Sequence, residues 1–270
     1  MIRIPVDLRE MVIALAGHAG QQIMQVYGRG FEVMHKDDAS PVTEADLLAN
    51  TILVEGLRRI TPNLPVLSEE SAQVSWEERQ HWPSYWLVDP IDGTREFVKR
   101  NGQFSVNVAL IHQGAPYFAV IQEPVTGTVW HATRGELAYR RVRNHDTALH
   151  VRAPATAPLQ VAISRSTHNA EGEAMLARMG QVQTVRLGSS LKLCWLAEGR
   201  LDAYPRLGPT SEWDTAAGQC ILQAAGGNVL SLATGKPFRY NRRPSLLNGP
   251  FIALGDLALP WRQWLDDPAA

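Results

Sequence analysis

The sequence predicts an α/β protein with an antiparallel sheet in its first half and a mixed sheet in its second. Three observations lead there. Two amphipathic helical runs open the chain, a series of strands too closely spaced for crossover helices follows, and beyond about residue 150 strands and helices alternate. The 270 residues allow one large unit or two intimately packed halves. At 45% hydrophobic and 20% charged residues, the composition is that of an ordinary globular protein rather than a disordered or fibrous one.

In chain order, Val6, Leu8, Met11, Val12, Leu15 and Ala16 recur at helical spacing, with Asp7 placed to cap the run. A polar loop containing Pro41 is expected over 35–43. A second helix is expected over 44–60, with Leu47, Leu48, Ile52, Leu53 and Leu57 as its apolar stripe and Pro62 just beyond. Strands follow at 64–67, 85–88, 105–111, 117–122, 128–132 and 136–141, rich in Val, Ile, Tyr and Trp and separated by Gly or Pro turns. The stretch 143–158 lacks periodicity and divides the chain into halves 1–150 and 151–270. Beyond it, strands at 159–164, 183–187 and 201–204 alternate with helices at 170–179, 190–198 and 214–225, and further strands lie near Val229 and Phe251.

The charges nearly cancel, with 26 Lys and Arg against 27 Asp and Glu. Such a chain has no global field for nucleic acid or an anionic membrane, so affinity for a phosphate has to come from a local site. Arg140, Arg141 and Arg143, with Arg239, Arg242 and Arg243, form two small basic clusters that read as solvated surface. Cys194 and Cys220 form no C-x-x-C pair and sit among Leu, Ile and Ala, as buried reduced thiols do. Asp7 and Glu10 interrupt any signal-like run, and no stretch approaches the ~18 apolar residues of a membrane span. A cytoplasmic protein is expected, and peripheral attachment to the inner membrane is compatible with the sequence.

Several signatures fail. Gly235-Lys236 lacks the upstream glycine of a P-loop and is followed by Pro237, and Gly28-Arg29-Gly30 follows no strand and lacks a third glycine. No G-x-S-x-G or H-E-x-x-H is present.

The informative segment is Trp86-Leu87-Val88-Asp89-Pro90-Ile91-Asp92-Gly93-Thr94. An apolar strand is expected to end at Asp89 because Pro90 cannot continue the ladder, and Gly93 permits a tight turn into a helix starting at Thr94. Two carboxylates thus stand beside a helix N-terminus, where backbone N–H groups favour a phosphate. Glu69 and Glu70 follow another short strand, Asp46 stands at one helix start and Asp214 at another. Singly, each of these acids is explained as a turn, a cap or a solvated residue. Converging, two carboxylates ~4 Å apart would repel by about 4 kcal/mol at an effective dielectric of 20, so the cluster would need protons or cations. All-oxygen ligands select hard cations, Mg2+ foremost, and Mg2+ beside a phosphate site is the apparatus of phosphoryl transfer.

The sets Asp89-Pro90-Ile91-Asp92-Gly93-Thr94, Ser68-Glu69-Glu70-Ser71, Pro41-Val42-Thr43-Glu44-Ala45-Asp46 and Trp213-Asp214-Thr215-Ala216-Ala217-Gly218 resemble, in order, the signatures of the inositol monophosphatase superfamily. Trp86-Leu87-Val88, Arg95-Glu96-Phe97 and Gly188-Ser189-Ser190-Leu191-Lys192 look closest to its bacterial 3′(2′),5′-bisphosphate nucleotidase branch, which acts in sulfate assimilation. Ser71 departs from that branch, which often carries an acid there. The resemblance implies a layered αβαβα sandwich and two or three Mg2+ ions per site. Glu69, Asp89 and the Ile91 carbonyl would hold one ion, Asp89, Asp92 and Asp214 a second, and Glu69 would also face a weaker third.

It further implies in-line attack by a metal-activated water that Thr94 and Asp46 orient and deprotonate, with the amides of Gly93 and Thr94 on the scissile phosphate and Arg95 beside them. His168, Ser189, Lys192 and Arg206 would surround the base, ribose and retained phosphate. The implied substrates are adenosine 3′,5′-bisphosphate and 3′-phosphoadenylyl sulfate, cleaved at the 3′ phosphate by a lithium-sensitive monomer or homodimer. An inositol monophosphatase or fructose-1,6-bisphosphatase with the same metal site is the alternative within the superfamily, and a nucleotide-sensing binding protein the alternative outside it.

Overall fold

The structure is a computed structural model and describes residues 4–35, 41–71, 73–164 and 170–265. The first half runs α1 (Val6–Tyr27), β1 (Val33–His35), β2 (Pro41–Thr43), α2 (Glu44–Ile60), β3 (Val66–Ser68), α3 (Trp76–Arg79), β4 (Ser84–Asp92), α4 (Thr94–Val98), β5 (Ser105–His112), β6 (Ala115–Glu123), β7 (Thr128–Thr133), β8 (Ala138–Val142) and β9 (His145–Ala148). The second runs β10 (Leu159–Ser164), α5 (Ala170–Arg178), β11 (Val182–Leu187), α6 (Leu191–Ala197), β12 (Ala203–Arg206), β13 (Thr210–Ser211), α7 (Glu212–Ala224), β14 (Asn228–Ser231), β15 (Leu247–Asn248) and β16 (Phe251–Leu254).

Strands β3 to β9 form one sheet in sequence order, antiparallel except for the parallel pair β3 and β4. The second sheet has the order β11-β10-β12-β16-β14 and is mixed, with β10 parallel to both β11 and β12, and β16 antiparallel to β12 and β14. Alternation along the strands buries both faces of the first sheet. Trp86, Val88, Val108 and Val120 pack against α1 and α2, while Tyr85, Leu87, Ala109 and Ile121 pack against α6, α7 and the second sheet. Val161, Ala203 and Ile252 on the far face of the second sheet meet Met175 of α5 and Trp261. The outcome is five layers, helices and sheets alternating as αβαβα.

Four local expectations are corrected. The stretch around Pro41 is not only a loop, because Val33, Met34 and His35 pair with Thr43, Val42 and Pro41. The inner face of α2 is the i, i+4 line Ala45, Ala49, Leu53, Leu57, whereas Leu47 and Leu48 are exposed. Bulk in the sequence pointed to the leucines, but small residues let the helix lie close to its neighbours. On α1, Val6 and Met11 are likewise exposed, and Asp7 sits in the first turn after a Pro5 cap. Strand β9, inside the aperiodic stretch 143–158, completes the edge of the first sheet.

Candidate active site

Strand β4 does not stop at Pro90. It runs to Asp92 through a register shift, with Asp89 opposite Asn107 and Asp92 opposite Ser105, so three steps on β4 match two on β5. This is a bulge, where the missing N–H of Pro90 is tolerated. Its consequence is geometric. Residues three apart on a regular strand face opposite sides, and the extra residue brings Asp92 back to the side of Asp89, while Ile91 is buried on the α1 and α2 side. Gly93 then turns the chain at φ 92°, a left-handed conformation favouring glycine, and α4 begins.

Two helix starts bring in the other aspartates. Asp214 is the third residue of α7 and accepts from the Ser211 N–H at 2.8 Å. Asp46 holds the same place in α2, accepting from the Thr43 N–H at 2.8 Å and the Thr43 hydroxyl at 2.6 Å. Both are capping boxes in which an aspartate takes the usual place of glutamate. One carboxylate oxygen each from Asp89, Asp92 and Asp214 lies within 4.8 Å of the other two. Glu69, at the turn after β3, lines the same cavity of about 390 Å³.

The environment opposes bare charge. Burial, with repulsion from Glu69, Asp92 and Asp214, pushes the Asp89 carboxyl well above the ordinary range. Burial likewise raises Asp214, with Asp92 adding repulsion. Asp92 is raised to about 6 by burial, against the pull of Lys192. Asp89 is 1% exposed, and its Oδ1 makes no hydrogen bond among the described residues. A hard divalent cation answers both the repulsion and the orphaned oxygen, so the donor set fits such an ion.

A stability consequence follows. A carboxyl whose folded pKa is raised stabilises the fold fully below its unfolded pKa, near 3.9, and that contribution is lost as pH rises through the folded value. In chelator, the melting temperature is therefore expected to fall between pH 5 and pH 8, through about 6 for Asp92, and added Mg2+ is expected to suppress the fall. Calorimetry showing a flat profile in chelator would count against the repulsive cluster.

Asp92 is positioned by groups far apart in sequence. The Ser190 N–H donates to its Oδ2, which also faces the Asn107 amide at 3.5 Å. The Ser190 hydroxyl in turn donates to Asn107 Oδ1 at 2.7 Å and lies 2.8 Å from the Ser105 hydroxyl. The Thr94 hydroxyl lies 3.1 Å from Asp46 Oδ1 and 3.2 Å from the Ile91 carbonyl. Burial raises the Asp46 carboxyl, partly offset by its bonds to Thr43 and Thr94.

Lys192 is not a helix-surface charge. It is buried, and its Nζ donates to the Ser189 carbonyl at 2.7 Å and the Leu187 carbonyl at 3.2 Å, 5.1 Å from the centre of the Tyr204 ring. Burial lowers it to about 8, opposed by Asp92. Ser189 is held at φ 49°, a strained conformation for a residue with a side chain, and the ammonium ties its carbonyl in place. Arg206 donates to the Gly208 and Pro209 carbonyls at 3.2 and 3.1 Å, and Arg95 is exposed.

One cavity thus gathers Glu69, Asp89, Ile91, Asp92, Gly93, Thr94, Arg95, Ser189, Lys192, Arg206 and Asp214. Asp46 stands behind Thr94, and His168 lies outside the described residues. Sequence reasoning missed Thr43, Ser211, Ser105, Asn107 and Ser190 as positioning residues. The first two were readable as capping boxes, whereas the others meet Asp92 only through tertiary folding.

An acid cluster fed by both halves of a five-layered sandwich defines a metal-dependent phosphatase fold. The inositol monophosphatase family model matches residues 6–255, and the chain belongs to that family. Among its relatives, the 3′(2′),5′-bisphosphate nucleotidase CysQ of Salmonella typhimurium is 49% identical over 244 residues, covering 90% of this chain and 97% of that one. The protein of the same name from Haemophilus influenzae is 35% identical over 264 residues, covering 97% and 98%. The crystal structure of CysQ from Bacteroides thetaiotaomicron, described as a bacterial member of the family, superposes with a TM-score of 0.81 at 36% identity, covering 91% of this chain and 96% of that one.

Proposed function

We propose that the protein is a Mg2+-dependent 3′(2′),5′-bisphosphate nucleotidase that removes the 3′ phosphate of adenosine 3′,5′-bisphosphate and of 3′-phosphoadenylyl sulfate. The observation that carries this reading is one cavity in which the Asp89, Asp92 and Asp214 cluster faces Lys192, Arg206 and Arg95. Such a cavity suits a substrate with one phosphate to cleave and one to retain. The names of its relatives from Salmonella typhimurium and Haemophilus influenzae support the same substrate class.

Glu69, Asp89 and the Ile91 carbonyl are assigned to one ion, Asp89, Asp92 and Asp214 to another, and Glu69 also to a weaker third. When bound, Mg2+ supplies Lewis acidity, lowering the pKa of water and offsetting phosphoryl charge. The chain's own residues handle the proton. Thr94 accepts one from the incoming water and passes its hydroxyl proton to Asp46 Oδ1, and the raised pKa of Asp46 suits it to receive that proton. The amides of Gly93 and Thr94 at the start of α4 are placed to hold the scissile phosphate, since first-turn N–H groups lack helical acceptors. Ser189, Lys192 and Arg206 are assigned to the rest of the nucleotide, together with His168. Residues 1–150 and 151–270 form two halves of one catalytic unit, because Asp214 completes a cluster begun by Asp89 and Asp92. No described helix is long and apolar enough to cross a membrane, and a cytoplasmic setting is part of this reading.

The test is a phosphate-release panel with Mg2+ over adenosine 3′,5′-bisphosphate, 3′-phosphoadenylyl sulfate, inositol 1-phosphate and fructose 1,6-bisphosphate. The nucleotides are expected to give the highest kcat/KM, and a preference for inositol or sugar phosphate overturns the assignment. Lys192→Ala is expected to cost roughly tenfold or more on adenosine 3′,5′-bisphosphate, the scale of one charge-assisted hydrogen bond. Its effect on inositol 1-phosphate is expected to be much smaller, and equal losses on both substrates would speak for a purely structural lysine.

A further inference from the structure

A second cavity, of about 370 Å³, opens at the other end of β4, and its lining shares no residue with the catalytic one. Along the strand, Tyr85 in its wall precedes Asp89 by four residues, ~13 Å. Two guanidinium groups converge there on a single atom, since Arg239 and Arg242 both donate through Nη2 to the Gln113 carbonyl at 2.5 Å. Neither makes an ion pair with an acid among the described residues.

The arrangement is built rather than incidental. Gly114, at φ 73°, leaves room for Arg242, because a Cβ at this position would lie 2.3 Å from Arg242 Nε. The Tyr240 N–H donates to the Gly114 carbonyl at 3.0 Å, and the buried Tyr240 hydroxyl reaches Gln219 at 2.9 Å, so the loop bearing both arginines is pinned to the β5–β6 turn and to α7. An independent observation comes from the cavity wall. Tyr85 is 1% exposed, and its hydroxyl makes no hydrogen bond among the described residues. Burial raises that hydroxyl well above its ordinary pKa, so it stays protonated and able to donate. On the inner side, the acid Glu212 is held by the Asn241 N–H, which donates to both its oxygens at 3.0 and 2.8 Å.

We propose that Arg239, Arg242 and Tyr85 form a second binding site, separate from the catalytic centre, for a tetrahedral oxyanion, either free phosphate or sulfate or the phosphate of a monoester. Paired guanidinium forks match the oxygens of such an anion, and the tyrosine hydroxyl supplies a neutral donor. Trp82, whose ring centre lies 5.8 Å from that of Tyr85, gives an esterified ligand an aromatic wall.

The test is thermal denaturation of the full chain in chelator, titrated with sodium sulfate or with adenosine 5′-monophosphate at constant ionic strength set by chloride. Wild type is expected to show a saturable rise in melting temperature. Arg239→Gln/Arg242→Gln is expected to need at least tenfold more anion for the same rise. Tyr85→Phe keeps the shape of the wall, so its anion-free melting temperature is expected to be no lower than that of wild type, with affinity down about threefold. Arg206→Ala is expected to leave the sulfate response unchanged, which separates this site from the catalytic one. Only the response that Arg206→Ala keeps and Arg239→Gln/Arg242→Gln weakens reports this site. If that response is tighter for the nucleotide the site takes a monoester, and if it is tighter for sulfate the site takes the free anion. No saturable rise in wild type, an undiminished response in the double variant or in Tyr85→Phe, or loss of the response in Arg206→Ala overturns the proposal.

Discussion

Asp89→Asn is expected to abolish phosphate release while raising the melting temperature of the protein in chelator at pH 8. The two effects have one cause. Asp89 is fully buried, its carboxyl is pushed up by burial and by Glu69, Asp92 and Asp214, and its Oδ1 is orphaned. With Mg2+ present, losing the ligand assigned to both ions removes several kcal/mol of charge stabilisation, about 10³-fold or more in rate. Without metal, the same change removes a repelling charge and supplies an amide that can donate to Asp92 or Asp214. Paired measurements of turnover and of melting temperature, each with Mg2+ and with chelator, decide the matter. Turnover near the wild-type value, or a lower melting temperature in chelator, would sink the shared-ligand assignment.

Thr94→Ala is expected to lower kcat by about 10²–10⁴, the usual scale for a positioned proton-transfer group, with KM and the Mg2+-dependent rise in melting temperature nearly unchanged. Thr94 is the first residue of α4, where alanine is tolerated, so a loss of folding does not obscure the result. Thr94→Ser keeps the hydroxyl that bonds Asp46 Oδ1 and is expected to restore most of the rate. Asp46→Asn provides the contrast. It weakens the capping box with Thr43 as well as the proton path, so it is expected to lose kcat and also about 1 kcal/mol of stability. A Thr94→Ala enzyme with more than a third of wild-type kcat would remove Thr94 from the proton path.

The parts of this molecule governed by short-range rules were legible in its sequence. The run 44–60 is helix α2 residue for residue, and 159–164 is strand β10, because periodicity and neighbouring punctuation decide such elements. The acids of the cluster were also legible, since each lies at a strand end or helix start where turn chemistry is written in adjacent residues. The parts that escaped depend on distant partners. Nothing beside Pro90 announces that β5 will accommodate it in a bulge, and nothing beside Lys192 announces that its ammonium will turn inward onto the Leu187 and Ser189 carbonyls. The exposure of Leu47 and Leu48 escaped for a related reason, as hydrophobicity alone cannot tell which face of a helix a sheet will choose.

The extra residue in β4 makes catalysis a matter of parity. Pairing residues 89–92 one for one with β5, so that no residue bulged out, would give β4 and β5 an uninterrupted ladder, a more regular piece of protein by any backbone criterion. It would also reverse the count, sending the second acid from the polar cleft toward the oily layer occupied by Ile91, Trp86 and Val88. Regularity and activity are here separated by a single odd or even number, and the irregularity is the part that the chemistry requires.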